Sequence, residues 1–198
     1  MIEKKTMLVD CDGVVLNWEY AFDIFMEEYG FKRVDGAEFI YDIGKRYGVE
    51  KSQGKKLIKQ FNESAAIGFL PPLRDSVQYI TKLAYQGWQF IAVTSLSTNK
   101  YAQKLRRRNL DKIFGKGTFV DVQCLPTGAD KNKALSRWKD SGYWWVEDKP
   151  ENAMVGFNLG LKPIVMEHGF NMNSTPDECY LVKNWKEIYK LVNTKQWT

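Results

Sequence analysis

Histidine is almost absent from this chain: among 198 residues there is only His168. Cysteine is scarce too, and Cys11, Cys124 and Cys179 are odd in number, widely scattered and never in a CxxC spacing. That excludes a disulfide framework and a thiolate zinc site and fits a reducing compartment. Cys11 has no local base and nothing nearby to lower its thiol pKa, so it reads as a small buried filler rather than a nucleophile. No apolar run approaches the roughly 20 residues needed to span a bilayer. The opening "MIEKKTMLVD" runs directly into an apolar strand with no signal-peptide core. A cytoplasmic location without membrane partners is expected. Internal repeats and low-complexity linkers are missing as well.

The chain is 44% hydrophobic and 27% charged, which predicts a soluble globular protein. Its length suits one substantial domain, or a core domain with a small insertion. Net charge is 29 − 24 = +5. That mildly favours anionic ligands without marking a nucleic-acid binder.

Helix and strand patterns alternate, which predicts an α/β fold with a mainly parallel sheet. After a first strand, "NWEYAFDIFMEEYG" carries Trp18, Phe22, Phe25, Met26 and Tyr29 at helical spacing and stops at Gly30. Short helical patterns follow to about Gly68, including "KSQGKKLIKQFNESAA", with no strong strand. "PPLRDSVQYITKLAYQG" reads as a helix with Asp75 and Gln78 at capping-box spacing, a Val77, Ile80, Ala84 stripe and a Gly87 stop. "WQFIAVTS", "TFVDVQCL", "YWWVED" and "KPIVME" read as strands; "STNKYAQKLRRRNL" and "ADKNKALSRWKD" read as helices. A last helix, "NWKEIYKLV", places Asn184 and Glu187 at capping-box spacing.

The strands end in chemistry. One ends in Asp10 and Asp12, another in Thr94 and Ser95, a third in Glu147 and Asp148. Two carboxylates about 4 Å apart repel by ~4 kcal/mol at an effective dielectric of about 20. Taken alone, "DCDG" fits either a cation site or an ordinary Asp/Gly turn. Ligands of open α/β sheets bind outside the carboxyl ends of the strands. Right-handed crossovers would bring these ends to one edge.

Together, "DCDGVV", "FIAVTS", "ADKNKAL" and "WWVEDKPEN" resemble the four ordered motifs of the haloacid dehalogenase superfamily of phosphatases. The likeness runs from about Met7 to Met166, and the insertion followed by "FLPPLRDSVQYITKLA" is similar to the 5'(3')-deoxyribonucleotidase branch. It implies a Rossmann-like core over residues 1–16 and 73–198, with helices on both faces. A small helical cap would be inserted after the first strand, over residues 17–72.

The resemblance further implies that Asp10 is the nucleophile, forming an aspartyl-phosphate, and Asp12 the general acid and base. Mg²⁺ would be held by Asp10, the backbone carbonyl of Asp12, and Asp148. Thr94 would bond a phosphoryl oxygen, with the Ser95 amide helping, and Lys131 would supply positive charge from a helix N-terminus. Lys133 competes with Lys131, which is preferred because Leu135 follows at the family's spacing. Glu147 and Asn152 depart from the residues commoner in the family and leave the surrounding shell open, as does the role of His168.

The implied activity is Mg²⁺-dependent hydrolysis of a small phosphate monoester, a nucleoside or deoxynucleoside monophosphate. Trp18 and the loop around Phe69 are the expected substrate contacts, while most cap aromatics should pack its core. The basic run Arg106 to Arg108 raises an alternative, a phosphatase acting on nucleic-acid ends. A catalytically silent binding protein is the third possibility.

Overall fold

A computed structural model describes residues 5–194. In chain order the regular elements begin with β1 (Lys5–Val9), α1 (Trp18–Glu28), α2 (Ile43–Arg46), α3 (Lys51–Asn62), α4 (Ser76–Tyr85) and β2 (Trp88–Ser95). They continue with α5 (Lys100–Phe114), β3 (Phe119–Leu125), α6 (Asn132–Leu135), β4 (Trp144–Glu147), α7 (Pro150–Asn158), β5 (Lys162–Met166), β6 (Tyr180–Val182) and α8 (Trp185–Thr194).

The six strands form one sheet in the order β3-β2-β1-β4-β5-β6, and every neighbouring pair is parallel. Strand alternation sends side chains to two cores. Met7, Val9, Phe90, Ala92, Trp144 and Val146 point to one face, packed with Ile80 and Leu83 of α4 and with Trp185, Ile188 and Val192 of α8. Leu8, Val93 and Trp145 point to the other and meet Leu135, Trp138 and Val155. The parallel sheet is what the alternating pattern predicts, and its Rossmann-like form with helices on both faces is what the resemblance implies. Because β2, β1 and β4 are adjacent, their carboxyl ends share one edge.

Residues 17–72 leave and rejoin this core side by side. Asn17 N donates to Pro71 O at 2.8 Å, Leu73 N donates to Val15 O at 2.9 Å, and Leu16 bridges Pro72. Between those crossings lie α1, α2, α3 and two 3-10 turns, Ala37–Phe39 and Ala65–Phe69. Most of the aromatics here pack on one another, as expected. Trp18 stacks on Phe22 with ring centroids 4.5 Å apart, and Phe22 meets Phe61 edge-on at 5.3 Å.

Two local expectations need correction, and one strand went unread. Val77 is exposed, and the buried face of α4 is Ser76, Ile80 and Leu83, one step around the helix. The Ser76 hydroxyl donates to Val15 O at 3.0 Å, which sets that rotation. Asp75 does not cap its own helix with its side chain; its carboxylate accepts from Trp185 N at 2.9 Å and Lys186 N at 3.1 Å, capping α8. The edge strand β6 is too short for its alternation to register in the sequence.

Candidate active site

Asp10 immediately follows β1, and its amide still donates to Val146 O at 2.8 Å, so the ladder fixes its backbone. By alternation it faces the same side as Leu8 and as Glu147 of β4. Lys131, fully buried at the start of α6, reaches both carboxylates at 2.7 Å. Burial opposes charge on this lysine, but Asp10 and Glu147 outweigh it and hold its pKa above the ordinary lysine value. Lys133 is exposed and makes neither contact. The helix expected over "ADKNKALSRWKD" is one α-turn followed by a 3-10 turn, Ser136–Trp138, so it supplies little macrodipole. The positive charge comes from the ammonium itself.

Asp10, Glu147 and Asp148 each bring one carboxylate oxygen within 4.8 Å of the others. Burial, then the neighbouring carboxylates of Glu147 and Asp10, raise the Asp148 pKa well above the usual range. Burial likewise raises Glu147, against the pull of Lys131. An all-oxygen donor set with crowded like charges fits a hard divalent cation such as Mg²⁺. Asp10 and Asp148 are the direct candidates. Glu147 is already committed to Lys131 and to the Lys149 amide at 3.2 Å, while Asn152 approaches it at 3.4 Å.

Gly13 makes this crowding possible. Its φ of 73° favours glycine, and a Cβ there would overlap the Asp148 carboxylate. The Gly13 carbonyl accepts from His168 Nε2 at 2.7 Å, so the imidazole carries its proton on that nitrogen. Burial lowers the His168 pKa to about 4. Asn171, fully buried, donates to both Asp148 O at 2.7 Å and Met166 O at 2.8 Å, and accepts from His168 N at 2.8 Å. Nothing in the sequence marks Asn171 for this tethering, since its partners come from two other segments.

Thr94 is completely buried, and its hydroxyl oxygen has no hydrogen-bond partner. A buried unsatisfied hydroxyl at a strand end calls for an incoming partner. The neighbouring Ser95 hydroxyl donates to Ala129 O at 2.8 Å and so braces the loop before Lys131.

The Asp12 carboxylate turns away from the acidic cluster. It forms a two-pronged ion pair with Arg106 of α5, at 2.6 and 3.1 Å, and Arg106 is fully buried. Burial raises the Asp12 pKa even against this guanidinium. The pair also dissolves the expected basic run. Arg106 faces inward and Arg107 pairs with Asp111 at 3.2 Å, while Arg108 is exposed on the face of α5 that also carries Lys100, Lys104 and Lys112. Cys11, buried on the opposite side of the strand, has its thiol pKa pushed up to about 12 by burial and is a core residue.

These groups open into a cavity of about 600 Å³ whose lining includes Asp10, Asp12, Thr94, Lys131 and Asp148. Trp18 and Ser95 line it too. The Trp18 indole N–H is held by Asn62 Oδ1 at 2.9 Å. Phe69 does not: it is 72% exposed and borders a separate depression with Leu105 and Lys112. The 3-10 turn that carries it packs against α5, which keeps it from the cavity.

Compared with known proteins, the chain is 31% identical over 202 residues to an uncharacterized 32.4 kDa protein in the Gp30-rIII intergenic region of Enterobacteria phage T4. That alignment covers 98% of this chain and 72% of the phage protein. The chain belongs to the family of that phage protein. No protein-family model matches it. Among solved structures, a haloacid dehalogenase-like family hydrolase from Streptococcus pneumoniae superposes with a TM-score of 0.66 at 12% identity, covering 97% of this chain and 100% of that one. D,D-heptose 1,7-bisphosphate phosphatase from B. bronchiseptica, complexed with magnesium and phosphate, gives 0.60 at 13% identity, covering 96% and 99%. At such identities the likeness establishes the fold, which is that of the haloacid dehalogenase-like phosphatases.

Proposed function

We propose that this protein is a Mg²⁺-dependent phosphomonoesterase that works through an aspartyl-phosphate and acts on small phosphate esters, nucleoside monophosphates foremost. The observation that carries the reading is the Asp10–Lys131 pair beside Asp148, in one cavity with the unpartnered Thr94 hydroxyl, at the shared edge of three adjacent strands. Asp10, Asp148 and the main-chain carbonyl of Asp12 would hold the cation, which supplies charge neutralisation for a carboxylate approaching a phosphate.

In this reading an Asp10 oxygen attacks phosphorus while Lys131 fixes its orientation and offsets charge on the phosphoryl oxygens. The Thr94 hydroxyl donates to one of those oxygens, with the Ser95 amide beside it. Asp12, kept protonatable by burial, gives its proton to the leaving oxygen and afterwards takes one from the hydrolytic water. Arg106 must yield one of its two contacts for that carboxylate to turn towards the reacting group. Residues 17–72 serve as a lid that excludes water, and Trp18 and Tyr41 at the cavity wall offer apolar faces for a base.

The test is phosphate release from a panel of nucleoside 5'- and 3'-monophosphates, run with Mg²⁺, with EDTA and with Asp10→Asn. Mg²⁺-dependent release that the substitution abolishes is expected. No release from any nucleotide removes the nucleotidase reading, and silence on an aryl phosphate as well removes the phosphatase reading.

A further inference from the structure

The cavity has two electrostatic halves. Carboxylates crowd its floor, whereas α3 contributes positive charge to its wall. That helix, KSQGKKLIKQFN, has four lysines and no acidic residue. Lys51, Lys55 and Lys59 recur every four residues and all line the cavity, while Lys56 does not. Leu57 and Phe61 on another face are buried and anchor the helix.

Among the described residues, none of the three lining lysines forms an ion pair. Of the nearby acids, Glu50 does not line the cavity, and three others are already engaged. Glu19 pairs with Arg46 at 2.8 Å, Asp42 caps α2 through Lys45 N, and Glu63 accepts from the Ser97 hydroxyl at 2.7 Å. Like charges four residues apart destabilise a helix, and a concave wall of one sign concentrates its field on whatever enters. A merely solvated face would have left these charges pointing away from the cavity, as Lys56 does.

The row spans eight residues, roughly 12 Å at 1.5 Å per residue. One phosphoryl group at Asp10 cannot answer charge spread over that distance, and Lys131 already serves it. Trp18, Tyr41 and Phe170 also line the cavity and suit a flat ring. We infer that the substrate carries a second phosphate besides the reacting monoester, bound by Lys51, Lys55 and Lys59, and is a low-molecular-weight nucleoside bisphosphate. This rests on the phosphatase reading and narrows its substrate class. A small molecule is favoured over a nucleic-acid strand because the lysine row stays within the cavity: the exposed cations of α5, Lys100, Lys104, Arg108 and Lys112, do not line it, and Arg108 and Lys112 border the separate depression.

Binding separates this inference from catalysis. Calorimetric titration of Asp10→Asn with Mg²⁺ should show a nucleoside 3',5'-bisphosphate binding at least tenfold tighter than the matching 5'-monophosphate. Adding Lys55→Ala and Lys59→Ala should erase that advantage without lowering the melting temperature, and Lys56→Ala should leave it intact. Equal affinities, no binding of either, or an advantage that survives the double substitution would overturn the inference. A 5'-phosphorylated oligonucleotide binding tighter still, with the same lysine dependence, would overturn the small-molecule assignment in favour of strand ends. Lysine-dependent bisphosphate binding by a wild type that releases no phosphate from any ester would sink the phosphatase reading while upholding the second-phosphate site.

Discussion

Gly13 and His168 show how single residues shape this site. Gly13 combines a left-handed backbone with contact against Asp148, so Gly13→Ala meets both a conformational and a steric barrier. The left-handed conformation alone costs an alanine about 1 kcal/mol. Phosphatase activity should fall at least tenfold, with a lower melting temperature and weaker Mg²⁺ binding; full activity would refute the tight fit. His168 is held neutral by burial, its folded pKa of about 4 lying below the ordinary 6.5. The unfolded chain therefore binds the extra proton between those values. His168 stabilises the fold fully above pH 6.5, and that contribution is lost as pH falls towards 4, by up to about 3 kcal/mol. Urea denaturation across pH 4 to 7 should show a shallower pH dependence in His168→Gln than in the wild type. Identical slopes would mean the ring is not buried as described.

Helices and strands act on one another here more than their own sequences suggest. Gly156 lies within α7, where helix propensity alone favours alanine by about 1 kcal/mol. Yet a Cβ at that position would overlap the Trp145 ring of β4, which is completely buried beneath the helix. Overpacking of this kind typically costs about 1–3 kcal/mol. Gly156→Ala should therefore destabilise the protein in a denaturant titration; a stabilised variant would show that α7 can lift off the sheet freely. Asp75 gives the same lesson about reading. Its spacing to Gln78 announced a cap for α4, and tertiary packing assigned it to α8 instead. Local spacing cannot report that a better set of amides lies 110 residues further on.

Across the whole molecule, the acidic cluster couples metal binding to stability. Because Asp10, Glu147 and Asp148 converge only when β1 and β4 are paired, a cation bound there acts on the folded state alone. At a hundredfold excess over its dissociation constant Mg²⁺ would add about 2.7 kcal/mol. For a chain of this size that raises the melting temperature by roughly 5–10 °C. Scanning calorimetry with Mg²⁺ and with EDTA should show the rise, and Asp148→Asn should remove most of it. A wild-type melting temperature indifferent to Mg²⁺ would count against the ligand assignment. Within the described residues no helix is long and apolar enough to cross a membrane.

Much of this was legible in the residues themselves. Period-two and helical patterns fixed the alternation of strands and helices, because burial of one face leaves a periodic trace in the chain. Asp10, Thr94, Lys131 and Asp148 announced themselves at strand ends or next to a short helix, and the sheet order brings those ends together. What required the tertiary structure was the direction of individual side chains. Arg106 read as part of a basic run but is buried against Asp12; Phe69 read as a substrate contact but faces another depression. The three lysines of α3 drew no reading from the sequence, and only the fold places them along the cavity. A sequence specifies which residues share a face; which partner that face meets is decided by how distant segments pack.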